Sequence, residues 1–517
     1  MVYKIQMLQA AALDTNINLI PPPLIKPHHN TRGHPDTTTV THAIFLVRGL
    51  TLPNMGWSLQ KRGHRELMSR DMDQSVEKLT TKQQLVAYFQ DGEKQPGNLG
   101  FGTEHEKFVY KRDNLQLLSF EEPGGYGDLF EQLSERYGWE PSYDRGKIVA
   151  LVRGDGEAIT LEPGGQLELS GAVKKTVFDT AQEFDRHIKE LKELADDRLM
   201  FVGLGMNPFD DLDDVPWMPK ARYEIMKNYL PTRGSLAHWM MKMTCTVQGN
   251  YDYTSEEDAA DIIRTGLMIS PVVSALFASS SVRFGKPSGK KTFRCHIWTD
   301  MDPDRSGFPE FMYRDDWGYD EYIEYLLDVP MFFIRRDNQY INMAGHSFRD
   351  YMKHGHEGHE ATMGDFELHM STAFPEVRMK KYIEVRGADA GGRDVMLGLP
   401  ALWKGIFYHA GTRKAVAQLM HGMNRDEHMQ FFEAIRTQGM SATSKLGTAQ
   451  EIAMELLRLA GDGLDDLAQQ ADHKSERGFL GALETIATTG ETQADKLLKD
   501  FEQEGLTRES LLKKWTL

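Results

Sequence analysis

The chain has 517 residues, enough for a large core, and its 76 Asp and Glu outweigh 60 Lys and Arg to give a net charge of −16. An acidic balance excludes the basic surface that nucleic acid requires, but not a nucleotide held through a divalent cation, which bridges carboxylates to phosphates. Two cysteines, Cys245 and Cys295, exclude a disulfide scaffold and fit a reducing, cytoplasmic setting, and no apolar run reaches the roughly 18 residues of a membrane span.

Residues 1–71 differ from the rest. They hold IPPPLIKPHHN and HPDTTTVTH and carry eight Lys/Arg against four Asp/Glu. One reading is a basic targeting arm; the other is translated sequence upstream of a start at Met68 or Met72. Pro-rich, non-amphipathic composition favours the second, and disorder is expected in both. One domain is then expected over 72–517. In SVEKLTTKQQLVAYFQDG, Ser75 or Thr80 can cap a helix whose apolar stripe is Leu85, Val86 and Phe89. FGTEHEKFVY alternates like a strand, and KIVALVRGDGEAITLEPGGQLELSG reads as strand, Asp-Gly turn, strand, PGG break and short strand. DTAQEFDRHIKELKELADDRLM and SEEDAADIIRTGLMISPVVSALFASS predict amphipathic helices. FRCHIWTD and MKKYIEVRGAD predict strands, and from about residue 413 the periodicity is almost purely helical. Hairpin signals mixed with helices indicate an α+β protein on an antiparallel sheet.

Several stretches carry candidate chemistry. On a strand, Glu104 and Glu106 would share a face roughly 7 Å apart, able to hold one or two hard cations, although E-x-E is more often a solvated face. Glu162 and Glu168 flank Pro-Gly-Gly among leucines, where a buried carboxylate needs a partner; the plain alternative is a hairpin turn with solvent-facing glutamates. MTCTVQGNYDYTSEED sets Gln248, Asn250 and Asp252 on one face. Glu384 and Arg386 stand two apart and either pair with each other or hold a metal and a phosphate. Arg294 and Arg222 are further candidates. No P-loop, Rossmann fingerprint, nucleophile elbow or H-E-x-x-H is present, and HGHEGHE at 354–360 reads as a solvated loop before a zinc site.

Together GTEHEKF, LEPGGQLELSG, PKARYEIMKNY, CTVQGNYD, RCHIWTDMDPDR, LLDVPMFF, FPEVRMKKYIEVRGAD and LPALWKG resemble the plant-type glutamate–cysteine ligases, in family order from about Leu79 to the C-terminus. The resemblance implies a glutamine-synthetase-like fold, a curved antiparallel sheet forming a funnel surrounded by helices. It implies ATP-dependent joining of L-glutamate to L-cysteine through γ-glutamyl phosphate, the first step of glutathione biosynthesis. It also implies magnesium, two or three ions, held by Glu104, Glu106, Glu162, Glu168 and Glu384 with Gln248 as a further ligand. Arg386 would act on the γ-phosphate, Arg222 and Arg294 on glutamate, and Tyr253 near cysteine. The implied partners are the small-molecule substrates, not nucleic acid or a membrane. Met343 stands where plant relatives carry a regulatory cysteine, so no plant-style disulfide switch is expected. The nearest alternative is a carboxylate–amine ligase with another acceptor amine; a non-catalytic binding protein and a metal-dependent hydrolase are the more distant ones.

Overall fold

The computed structural model describes residues 75–154, 156–504 and 507–517; the expectations for residues 1–71, including a start at Met68 or Met72, lie outside the described residues. The centre is a nine-stranded antiparallel sheet. Its strands are β1 Phe101–Lys111, β2 Glu140–Asp144, β3 Lys147–Val152, β4 Ala158–Leu161, β5 Leu167–Ser170, β6 Leu199–Val202, β7 Thr246–Tyr251, β8 Val377–Met379 and β9 Ile383–Asp389. The spatial order is β8-β9-β7-β1-β5-β4-β3-β2, with β6 also paired to β1. Every residue of β1 is buried except its last, half-buried one. Its charged residues are thus in the interior, with Glu104 and Glu106 on one face and His105 and Lys107 on the other.

The back face is covered by helices. The helix α2, Val177–Ala195, follows α1, Lys82–Gln90, and is capped by Thr176, whose side chain accepts from the Asp179 amide. Phe184 of α2 packs 4.4 Å, ring to ring, from His105. The α1 cap is Thr81, one residue past the expected Thr80. The loop between β4 and β5 turns at Gly165, φ +84°, whose amide donates to the Glu162 carbonyl at 2.8 Å. A Cβ on the preceding Gly164 would collide with the Lys242 backbone, so this turn seats tightly on its neighbour.

Three further helices position the site. The first, α3, is Ala221–Tyr229; the second, α4, is Glu256–Leu276; the third, α5, is Phe293–Trp298. Contrary to the expectation that no apolar run is long enough to span a membrane, α4 passes by length and composition, but 83% of its apolar window is buried inside the fold. The expected FRCHIWTD strand is α5 instead. Thr292 caps it by accepting from Cys295 N at 3.3 Å, and Phe293 and Ile297, four apart, make one buried helical face. A helical region begins at α6, Arg393–Phe407, and continues through α7, Ala449–Gln470. Gly405 and Gly463 let these two helices approach backbone to backbone.

Candidate active site

Register builds the site. Glu106 lies opposite Glu168, and Glu104 opposite Ser170 on one side and Gln248 on the other. Thr160 pairs with Glu168, Glu384 with Asn250, and Arg378 with Glu384. Residues directly opposed in a sheet share a face. One face therefore gathers residues from six strands, from Glu104 to Glu384 in the chain. It is closed from water: Glu104 is 7% exposed, Glu106 9%, Glu168 8% and Glu384 1%.

Carboxylates so placed require partners. Glu168 Oε2 accepts from Thr160 Oγ1 at 2.8 Å, and its Oε1 from Ser170 Oγ at 2.6 Å. Glu104 Oε1 accepts from Asn250 Nδ2 at 3.0 Å, and Glu106 Oε2 from the Thr246 amide at 2.9 Å. Burial pushes the Glu106 carboxyl well above the usual range; nearby Glu162 and Glu168 push it further, while Arg294 and the Thr246 amide pull it back. Glu162 and Glu168 thus both repel the buried Glu106 carboxylate.

The opposite condition holds at Glu384. Arg378 grips it with Nε to Oε2 at 2.9 Å and Nη2 to Oε1 at 2.8 Å. Arg386 Nη1 donates to Glu384 Oε1 at 2.5 Å, and Lys380 Nζ lies 3.3 Å from Oε2. Burial would raise this carboxyl, but the charges of Arg378, Lys380 and Arg386 hold it well below the usual range. Arg386 Nη1 also donates to Gln248 Oε1 at 3.0 Å. Glu384 and Gln248, both expected as metal ligands, are here engaged by arginine.

Arg294, on α5, donates from Nη2 to the Arg386 carbonyl at 2.9 Å, which brings it beside the site. Arg222 stands in the first turn of α3. The Asp144 carboxylate accepts from the Ala221 amide at 2.8 Å, and Tyr223 Oη donates to the Leu161 carbonyl at 2.8 Å. These bonds hold the start of α3, where Arg222 stands, against the end of β4. Tyr253 is not brought in. It is fully buried, two residues past the end of β7, and its hydroxyl donates to the Phe89 carbonyl at 2.7 Å. The expected place near cysteine is corrected to a core position.

The donor set of Glu104, Glu106, Glu162 and Glu168 is all oxygen and suits a hard cation. The raised Glu106 carboxyl is the observation that such a charge would answer. Among the described residues, no group of three or more His, Cys, Asp or Glu is drawn together around one point, the HGHEGHE stretch included. That is compatible with magnesium, which keeps several waters and uses one or two carboxylates plus substrate phosphates rather than an all-protein cage. Arg378 and Lys380 escaped the sequence reading. The signal was present: a three-residue loop after Met379 fixes the hairpin register that sets Arg378 opposite Glu384.

The model of glutamate-cysteine ligase family 2 (GCS2) matches residues 100–513. The chain belongs to that family. Glutamate–cysteine ligase B of Oryza sativa subsp. japonica is 38% identical over 426 residues, 82% of this chain and 84% of that one. The enzyme of Nicotiana tabacum is 39% identical over 423 residues, covering 81% and 79%, and that of Arabidopsis thaliana 37% over 452 residues, covering 86% and 85%. All three are named chloroplastic, which overturns the cytoplasmic expectation. A solved Francisella tularensis glutamate–cysteine ligase in complex with AMP superposes with TM-score 0.51 at 13% identity, covering 82% of this chain and 88% of that one. That likeness shows a shared fold, and the α+β class is the one expected.

Proposed function

We propose that this member of the family joins the γ-carboxylate of L-glutamate to the amine of L-cysteine with ATP and magnesium, as the first step of glutathione biosynthesis. The single supporting observation is one buried sheet face on which Glu104, Glu106 and Glu168 adjoin Arg386. The relatives' names supply glutamate and cysteine, and the AMP in the solved ligase supports an adenine nucleotide.

Glu104, Glu106, Glu162 and Glu168 would hold magnesium. When bound, it supplies positive charge against the ATP phosphates and the transferring phosphoryl group. A γ-carboxylate oxygen of glutamate forms a bond to the γ-phosphorus of ATP, and the bond from that phosphorus to the bridging oxygen breaks, releasing ADP. Arg386, fixed by Glu384 and Gln248, presents its guanidinium to the transferred phosphoryl group, where charge spreads over the oxygens. Arg294 and Arg222 offer planar forks to the substrate's α-carboxylate. The cysteine nitrogen then bonds the acyl carbon as the acyl carbon–oxygen bond breaks, phosphate leaves, and the amine gives up a proton. No protein nucleophile takes part; the side chains orient reactants and offset charge.

The test is ADP release by the protein with magnesium, ATP and glutamate, with and without cysteine, plus mass detection of the product. Cysteine-dependent ADP with γ-glutamylcysteine is the expected result. ADP release that ignores cysteine and follows another amine would move the protein to a sister ligase.

A further inference from the structure

Behind Arg386 the register of β9 slips between Val385 and Ala388. The bulge is gripped through its carbonyls. Arg294 Nη2 and Thr246 Oγ1 donate to the Arg386 carbonyl at 2.9 and 3.2 Å, and the Cys295 thiol lies 3.7 Å from the Gly387 carbonyl. Glu376 lies against this bulge. Its own carbonyl accepts from the Arg386 amide at 3.2 Å. Its carboxylate sits where a Cβ of residue 387 would be, so only glycine leaves it room. Glu376 and Gly387 line one small cavity with Arg386, Ser270 and Trp403.

Positive charge gathers at this corner. Arg294, Arg378 and Arg386 crowd it, and both Arg378 and Arg294 add to burial in disfavouring the Arg386 charge. Glu384 offsets Arg378 and Arg386. Arg294 donates from Nη2 to the Arg386 carbonyl, and its buried Nε has no hydrogen-bond partner. Glu376 Oε1 is likewise buried without a donor. A carboxylate that makes no hydrogen bond through that oxygen, yet shares a small cavity with Arg386, acts through its charge. Burial raises it, and the groups that pull it back are Arg294 and Arg386. Asp389, which also feels Arg294, has its carboxylate taken up by Ser279, Ser280 and Thr292.

We infer that Glu376 is a positioning residue, a buried counter-charge that seats the Arg386–Gly387 bulge and holds the Arg294 and Arg386 guanidinium groups in one arrangement. The inference rests on the ligase reading above. It assigns Glu376 an effect on phosphoryl transfer through Arg386 and on glutamate through Arg294, and none on cysteine.

Glu376→Gln keeps the shape and removes the charge. Its kcat should fall and its KM for glutamate should rise, together lowering kcat/KM for glutamate about tenfold or more, with KM for cysteine and the melting temperature unchanged. Glu376→Asp should restore part of the loss. Gly387→Ala, whose methyl displaces the carboxylate, should reproduce the kinetic pattern in a folded protein. Wild-type kinetics in Glu376→Gln would overturn the inference, as would a lower melting temperature with unchanged kinetics per folded molecule. No γ-glutamylcysteine from the wild type would overturn the ligase reading and this inference with it; product from the wild type with an indifferent Glu376→Gln would overturn this inference alone.

Discussion

Arg378→Met tests the buried ion cluster most severely. Arg378 is 5% exposed. It holds Glu384 through Nε and Nη2, and its Nη1 donates to the Ser371 and Ala373 carbonyls, each at 2.8 Å. Methionine keeps an apolar stem and deletes every donor. Two carbonyls lose that donor, at about 1–3 kcal/mol each if nothing replaces it. Glu384 keeps Arg386 and Lys380, so it is not bare, and the total belongs at the lower end of the about 3–5 kcal/mol typical of breaking a buried pair. At about 1 °C per kcal/mol for a chain this long, the melting temperature should drop by about 3 °C. The pH dependence has a definite sign. Glu384 is held below its ordinary range, so its contribution is present above the unfolded value near 4.5 and is lost as pH falls through the folded one. Scanning fluorimetry should find the wild-type advantage full between pH 6 and 8 and shrinking under acid. A variant melting with the wild type at pH 7, or an advantage that grows on acidification, would refute the reasoning. Arg378→Lys should not rescue, because one ammonium cannot reproduce the fork.

Glu106→Gln should abolish cysteine-dependent ADP release while raising the metal-free melting temperature at pH 8, since it removes a buried carboxylate that Glu162 and Glu168 repel; near-normal turnover would refute the metal assignment. Both cysteines are free and buried, with the Cys295 thiol pushed up to about 12 and that of Cys245 also raised by burial and by Glu106. Oxidised and reduced samples should therefore have equal activity, because the thiolate is the reactive species; a large reversible loss on oxidation would contradict this.

The site was legible where chemistry and local period coincide. Glu104 and Glu106 alternate within one strand, and alternation alone places them on one face. Glu162 and Glu168 were marked by the Pro-Gly-Gly break between them. Arg294 was found for the right residue type on the wrong element: Phe293 and Ile297 fit a helical face as well as a run of apolar residues beside Arg294, and the Thr292 cap settles it as helix. Tyr253 was expected near cysteine from the resemblance alone; it lies past the end of β7, buried, with its hydroxyl on the Phe89 carbonyl.

What stayed hidden is what register alone decides. Whether Glu384 meets a cation or an arginine depends on the hairpin that sets Arg378 opposite it, six residues upstream. Whether Glu106 repels Glu168 depends on β1 and β5 pairing across more than sixty residues of chain. A slip of one residue in either pairing would turn that strand's charged side chains to the opposite face. The two halves of the face are then electrostatic opposites. On β1 and β5 the carboxylates outnumber cations and leave a charge deficit that a divalent ion suits; at the β8–β9 hairpin Arg378, Arg386 and the loop residue Lys380 outnumber Glu384 and leave a surplus that a phosphoryl group suits. Gln248, bonded to Arg386 and paired in register with Glu104, lies where the two meet.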